Sequence, residues 1–180
     1  MVRRVVDRVS GMSDESIVVV ARNASRTDYV KVLPGFARVI NDEPEGKGPI
    51  VGIVTGLKTM ESQYAIVLSC DIPFVNKDVI QLLLERSSGA DAVIPRSKTG
   101  HLEPLQAIYR REPVLRRAEE ALLRRELSPT SVIFKLAKVV YVSIEDEIRA
   151  IDPELRTFFN VNTREDVAKA EAMLMEGDEA

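Results

Sequence analysis

Ile17-Val18-Val19-Val20-Ala21 is an unbroken apolar, mostly β-branched run that stops abruptly at Arg22-Asn23. A strand with apolar side chains on both faces must be covered on both faces, which is the situation of a parallel sheet between helical layers. The same design recurs at Arg38-Val39-Ile40, ended by Asn41-Asp42, at Ala65 to Ser69, ended by Cys70-Asp71-Ile72-Pro73, and at Asp91 to Pro95. Later strands are expected at Leu105 to Tyr109, Lys138 to Val142 and around Phe158 to Val161. Helical spacing marks Pro49 to Met60, Lys77 to Ser87, Glu112 to Arg125, Pro129 to Leu136 and Arg164 to Leu174. Met1 to Val9 reads as the middle of an amphipathic helix without an N-cap, with Val2, Val5, Val6 and Val9 on one side. The alternation predicts an α/β fold, a mostly parallel sheet with helices on both faces, in a single domain over residues 1–180.

Composition narrows the chemistry that such a sheet can carry. The 25 Lys+Arg against 28 Asp+Glu leave a formal charge of −3, which argues against a nucleic-acid coat. No stretch is apolar for long enough to span a bilayer, and the first fifteen residues interleave charge with valine, unlike a secretory signal. No membrane or nucleic-acid partner is therefore expected, and the expected compartment is the cytoplasm. The single cysteine, Cys70, has no internal disulfide partner, and one cysteine with one histidine cannot build a zinc cage. A Ser-His-Asp triad would need His101 as its base. Oxygen ligands from Asp, Glu and Asn remain, and these suit magnesium.

In α/β sheets, ligands bind beyond the carboxyl ends of the strands. That rule selects Asn23, Asp42, Asp71 and the segment Asn160-Val161-Asn162 as one candidate site. Asp71 follows a buried run, and Pro73 prevents the strand from continuing, so its carboxylate is placed to hold a magnesium ion against phosphate oxygens. The alternative is that it only caps the turn before a helix near Asn76. In Glu45-Gly46-Lys47-Gly48-Pro49 the glycines precede a helix start, where backbone N–H groups favour anions. The pattern is neither a Walker loop nor a dinucleotide fingerprint, and Gly-Pro is also ordinary punctuation. In Asn160-Val161-Asn162-Thr163-Arg164-Glu165-Asp166, either Asn162 or Thr163 caps the last helix, leaving an asparagine as a metal or substrate ligand. His101, in a polar hairpin-like loop, reads as a solvated histidine. The basic pairs from Arg110 to Arg125 are explained by pairing with Glu119-Glu120 on a solvated helix face.

Several segments together resemble the molybdenum cofactor guanylyltransferases: Ile66-Val67-Leu68-Ser69-Cys70-Asp71-Ile72-Pro73-Phe74, Gly48-Pro49-Ile50-Val51-Gly52-Ile53, Glu103-Pro104-Leu105-Gln106-Ala107-Ile108-Tyr109 and Asn160 to Asp166. The resemblance implies a nucleotide-diphospho-sugar-transferase-like (Rossmann-like) domain. It implies transfer of GMP from GTP to the terminal phosphate of molybdopterin or its molybdenum form, with release of pyrophosphate and use of Mg2+. Molybdoenzymes or cofactor-delivery proteins would be further partners. By the same resemblance Asp71 is the catalytic, magnesium-binding aspartate. Asn23 lies near guanine and ribose, Asp42 belongs to the nucleotide site, and Gly48 and Pro49 lie beside the nucleotide. Asn162, with Asn160, sits close to the metal and the pterin phosphate. The family opens with a strand and an L-A-G-G-x-S-x-R-M-G-x-D-K loop that holds the triphosphate, and no such segment occurs here. The expectation is a domain truncated at its N-terminus, with first strand and loop missing and little transferase activity. The alternatives are a related cytidylyltransferase or sugar-phosphate nucleotidyltransferase, or a non-catalytic member that binds pterin or a partner enzyme.

Overall fold

The structure, a computed structural model, describes residues 1–42 and 48–177. Helix α1 (Val2–Arg8) leads into β1 (Ser16–Val20), α2 (Arg26–Val32) and β2 (Ala37–Asn41). Then follow α3 (Pro49–Thr59), β3 (Tyr64–Leu68), α4 (Lys77–Glu85), β4 (Ala92–Arg96), β5 (Gln106–Arg110) and α5 (Arg111–Leu123). The chain ends with α6 (Pro129–Ile133), β6 (Val139–Ser143), a π-helical turn (Ile144–Ile148), a 3-10 turn (Arg156–Phe158) and α7 (Arg164–Gly177). Among the described residues no helix is long and apolar enough to cross a membrane.

The expected α/β architecture is present, with differences in the sheet. The strands form two sheets, a parallel pair β1-β2 and a four-stranded sheet in the order β3-β5-β4-β6. β5 runs antiparallel to both of its neighbours, while β4 and β6 are parallel. The cause is the connection from Arg96 to Gln106: it is too short for a crossover helix, so the chain turns back, with an isolated bridge between Arg96 and Leu102. The strand expected around Phe158 to Val161 does not form. Its apolar residues serve a small side cluster instead, where Phe159 and Val161 pack with Phe74 and Ala170.

Helices cover both faces of the sheets. On one face, α3, α5 and α6 bury Ile50, Val54, Leu57, Val114, Ala118 and Ile133 against Ala107 and Tyr109. On the other, α4 and the π-helical turn bury Ile80, Leu83 and Ile148 against Val93 and Ile108. Two helices straddle the sheets. Ile17 of β1 joins Ala65 and Val67 of β3 around the cluster built by α3. On the opposite face α1 sends Val5 into the core of the four-stranded sheet and Val6 into a cluster with Val18, Val20 and Val39.

β1, β2 and β3 enter from one edge. Just ahead of β1, Glu15 Oε1 accepts from Glu61 N, just ahead of β3, at 3.1 Å; Arg38 of β2 donates to the Thr59 carbonyl at 2.9 Å. β1, β2 and β3 therefore exit at a common, opposite edge, where the polar residues singled out from the sequence stand.

Candidate active site

The site divides into two groups at that carboxyl edge. In the first, β1 ends in a turn over residues 21–24, closed by Ala24 N donating to Ala21 O at 2.8 Å, with Asn23 exposed within it. Beside it β2 ends at Asn41, and Asp42 N donates to Val20 O at 2.9 Å, so the two strand exits stay side by side. Asp42 turns its carboxylate towards α3: a Cβ placed on Gly52 would lie 3.7 Å from Asp42 Oδ1. That oxygen is buried without a hydrogen-bond partner among the described residues. Burial pushes the Asp42 carboxyl above the usual range, and a hydrogen bond from Thr55 pulls the other way.

Gly48 and Pro49 are exposed at the start of α3, with Pro49 at the first helical position. Gly48 has φ +97°, a backbone conformation that a side chain resists, which is why glycine stands there. Gly46 and Lys47, expected beside them, lie outside the described residues.

The second group surrounds Asp71. β3 is continued past Leu68 by Ser69 N donating to Leu105 O at 2.9 Å, and the Asp71 carbonyl accepts from Val161 N at 2.8 Å. The Ser69 hydroxyl donates to Asp71 Oδ1. The loop beyond is fastened from several sides. Arg4 and Arg8 of α1 donate to the carbonyls of Pro73 and Val75 at 3.2 and 3.3 Å, and Asn76, not Asp71, caps α4 by accepting from Asp78 N at 2.9 Å. Asn76 N donates to Thr157 Oγ1 at 3.1 Å, and Gln106 Nε2 donates to the same oxygen, while Thr157 N donates to Asp152 at 2.8 Å. This buried chain of bonds locks residues 152–157 onto the exit of β3.

The Val161–Asp71 bond brings Asn160 and Asn162, both exposed, alongside Asp71. Asn160 donates to Phe158 O at 3.2 Å. The cap of α7 is Thr163: its hydroxyl accepts from Asp166 N at 3.2 Å, and Asp166 Oδ2 accepts from the backbone N–H groups of Asn162 and Thr163 at 3.1 and 2.9 Å. The Thr163 hydroxyl also donates to Asp166 Oδ2 at 2.9 Å, and this bond, followed by the two backbone N–H bonds, holds the Asp166 carboxyl below its usual range. Capping therefore does not occupy the Asn162 side chain. His101 is exposed, 3.3 Å from Glu103, as expected for a loop histidine.

Among the described residues no three His, Cys, Asp or Glu side chains cluster as a metal cage. One carboxylate, with two asparagines on the segment bonded to its backbone, offers instead the oxygen donors that suit a hard divalent cation taking phosphate oxygens and water for its remaining ligands. Two cavities, of about 590 Å³ beside α7 and about 610 Å³ around Arg110, Arg111 and Arg116, include none of these residues. Asn41, Ser69 and Thr157, which hold the candidate residues in place, escaped the sequence reading. For Asn41 and Ser69 the sequence signal is a polar residue at or just past the end of an apolar run; Thr157, directly after Arg156, has no such signal.

A sheet that gathers polar side chains at its strand exits under two helical layers defines a ligand-binding α/β domain of the doubly wound class. More narrowly, residues 1–139 match the family described as the MobA-like NTP transferase domain, and the chain belongs to that family. It is 37% identical over 171 residues to a protein of Methanosarcina mazei named "Probable molybdenum cofactor guanylyltransferase", covering 93% of this chain and 75% of that one. It is 34% identical over 179 residues to the "Molybdenum cofactor guanylyltransferase" of Desulfosudis oleivorans, covering 98% and 83%. Among solved structures, the molybdopterin-guanine dinucleotide biosynthesis protein A of Archaeoglobus fulgidus superposes with a TM-score of 0.78 at 28% identity, covering 96% of this chain and 84% of that one. The 4-diphosphocytidyl-2C-methyl-D-erythritol synthase of Anaerococcus prevotii, at 15% identity and TM-score 0.71 over 97% and 85%, shares the fold.

Proposed function

We propose that this chain carries out the guanylyl transfer named in its relatives: GMP moves from GTP to the terminal phosphate of molybdopterin or its molybdenum form, and pyrophosphate leaves. Membership of the MobA-like family supports this reading, and the observation that carries it is Asp71, pinned at the exit of β3 by Ser69 and Val161. In this reading a pterin phosphate oxygen attacks the α-phosphorus of GTP while the bond to the β-phosphate breaks. The nucleophile is already an anion, so no side chain need remove a proton, and positioning with charge neutralisation does the work. Mg2+, when bound, would draw negative charge from the attacking and leaving oxygens. Asp71, with Asn162 as a further oxygen donor and Asn160 beside it, holds that ion. Asn23 and Asp42 receive the guanosine, and Gly48 and Pro49 border the nucleotide. Cytoplasmic operation, with GTP and molybdopterin as the small-molecule partners, belongs to the same reading.

The test is GMP transfer from α-labelled GTP to molybdopterin in magnesium buffer, with CTP offered in parallel. The reading expects guanylyl transfer that falls by about two orders of magnitude or more in Asp71→Asn, the scale of lost charge stabilisation, with an unchanged melting temperature. Preference for CTP, or full activity in Asp71→Asn, would overturn it.

A further inference from the structure

Asn41 is the last residue of β2, opposite Val20 at the end of β1. Its side-chain Nδ2 lies 3.0 Å from the carbonyl oxygen of Ala21, 3.2 Å from that of Arg22 and 3.0 Å from that of Ala24. One amide group thus donates to three carbonyls of a single four-residue turn, and the fourth residue of that turn is Asn23. With two N–H bonds for three acceptors, the amide sits at the centre of the turn, drawing its carbonyls inward. Asn23 itself is exposed. Three bonds from the Asn41 amide, with the turn's own Ala24-to-Ala21 bond, thus tie the turn to the end of β2. An exposed recognition side chain on a short turn is only as well placed as the turn beneath it.

We infer that Asn41 is a positioning residue for nucleotide binding: its amide sets the shape of the 21–24 turn and so the placement of Asn23 against the nucleoside. This rests on the proposed role of Asn23 at the nucleotide. Asn41 does not touch the nucleotide; it acts through the turn. The residue needed is a donor, because every group facing it is a carbonyl oxygen. An aspartate of the same shape would set a carboxylate against those oxygens, and an alanine would leave them to water.

The experiment compares the unsubstituted chain with Asn41→Asp, Asn41→Ala, Asn23→Ala and the double variant Asn23→Ala/Asn41→Ala. GTP affinity is read by titration calorimetry, amide exchange over residues 21–24 by mass spectrometry, and folding by thermal melting. Both Asn41 variants should weaken GTP binding about tenfold and speed exchange of the turn, with cooperative melting retained. Asn23→Ala should weaken binding similarly without speeding exchange, and the double variant should bind no worse than either single one by more than about twofold, as expected for coupled residues. Weakened binding in Asn23→Ala with unchanged binding in both Asn41 variants would overturn the positioning role and leave the nucleotide reading standing. Unchanged exchange in the turn would also overturn it. Unchanged affinity in Asn23→Ala, or no GTP binding by the unsubstituted chain, would overturn the reading of Asn23 and the positioning role together.

Discussion

Asp42 carries a carboxylate whose surroundings oppose its charge. One oxygen is buried without a partner among the described residues, although the residue as a whole is partly exposed, and burial raises its pKa. A folded-state pKa above the unfolded one means that protonation favours the fold. That stabilisation is fully present below the unfolded value near 3.8 and is lost as pH rises through the folded one, so at pH 7 the ionised group opposes folding. Asp42→Asn should therefore melt higher than the unsubstituted chain at pH 7, by about 1 to 2 °C given solvent screening of a partly exposed group. The gain should shrink as pH approaches 4, and the same variant should lose nucleotide affinity if Asp42 serves the nucleotide. A gain that is constant from pH 7 to 4 would remove ionisation as the cause. Ser69 makes a complementary case. Its hydroxyl fixes one oxygen of Asp71, the carboxylate that the proposed function gives to the metal, and removing a bond to such a carboxylate typically weakens the metal about tenfold. Ser69→Ala should shift a Mn2+ titration in the presence of GTP by about that factor without changing thermal melting. An unshifted midpoint would reduce Ser69 to a turn residue.

At the scale of elements, α5 ends in a left-handed residue that is not glycine. Arg125 has φ +58°, Glu126 N donates to Ala121 O at 2.9 Å and Arg125 N donates to Leu122 O at 3.0 Å, the paired bonds of a Schellman cap. A side chain in that conformation costs about 1 to 2 kcal/mol, part of which glycine forfeits through the entropy of its unfolded chain. Arg125→Gly should raise the melting temperature by about 2 °C. Leu155, at φ +53°, should respond in the opposite sense, because its side chain packs against the core around α4 and glycine would remove that contact. Differential scanning calorimetry of both variants checks the contrast; a shift of equal sign would refute it. Elements with a buried face were legible in the sequence within a residue or two, as β1, β3 and α4 illustrate. α2 was not: none of its residues is buried, so it has no apolar stripe to read. The reversed direction of β5 was hidden because its residues are buried on both faces, which erases the alternation that marks direction-specific environments. The position of Asp71 at a strand exit was legible from its place after an apolar run. The roles of Asn41 and Thr157 were not, since both act through contacts distant in sequence.

At the scale of the molecule, the two sheets are joined by side chains instead of backbone. Among the described residues β1 bonds only to β2, and β3 only to β5. What spans them is α3, across Ile17, Ala65 and Val67, and α1, through Val5 on one side and Val6 on the other. The four-stranded sheet has strands buried almost throughout, Ala92 to Pro95 and Gln106 to Tyr109, whereas β1 and β3 are only partly covered. Opening free energies follow such differences in cover, and segments with fewer buried contacts open first. Native-state hydrogen exchange should therefore find the β1-β2 unit opening at a lower free energy than β4 and β5. Val6→Ala, which removes two buried methyl groups from the smaller cluster, should lower protection in β1 and β2 by about 1 to 2 kcal/mol and leave β4 and β5 nearly unchanged at low denaturant. Val5→Ala, one position away but facing the four-stranded core, should instead lower protection in the strands packed against α4. If every slowly exchanging amide in both sheets reports one free energy, and each variant lowers all of them equally, the two sheets form a single cooperative unit and the helices bind them as tightly as a shared ladder would.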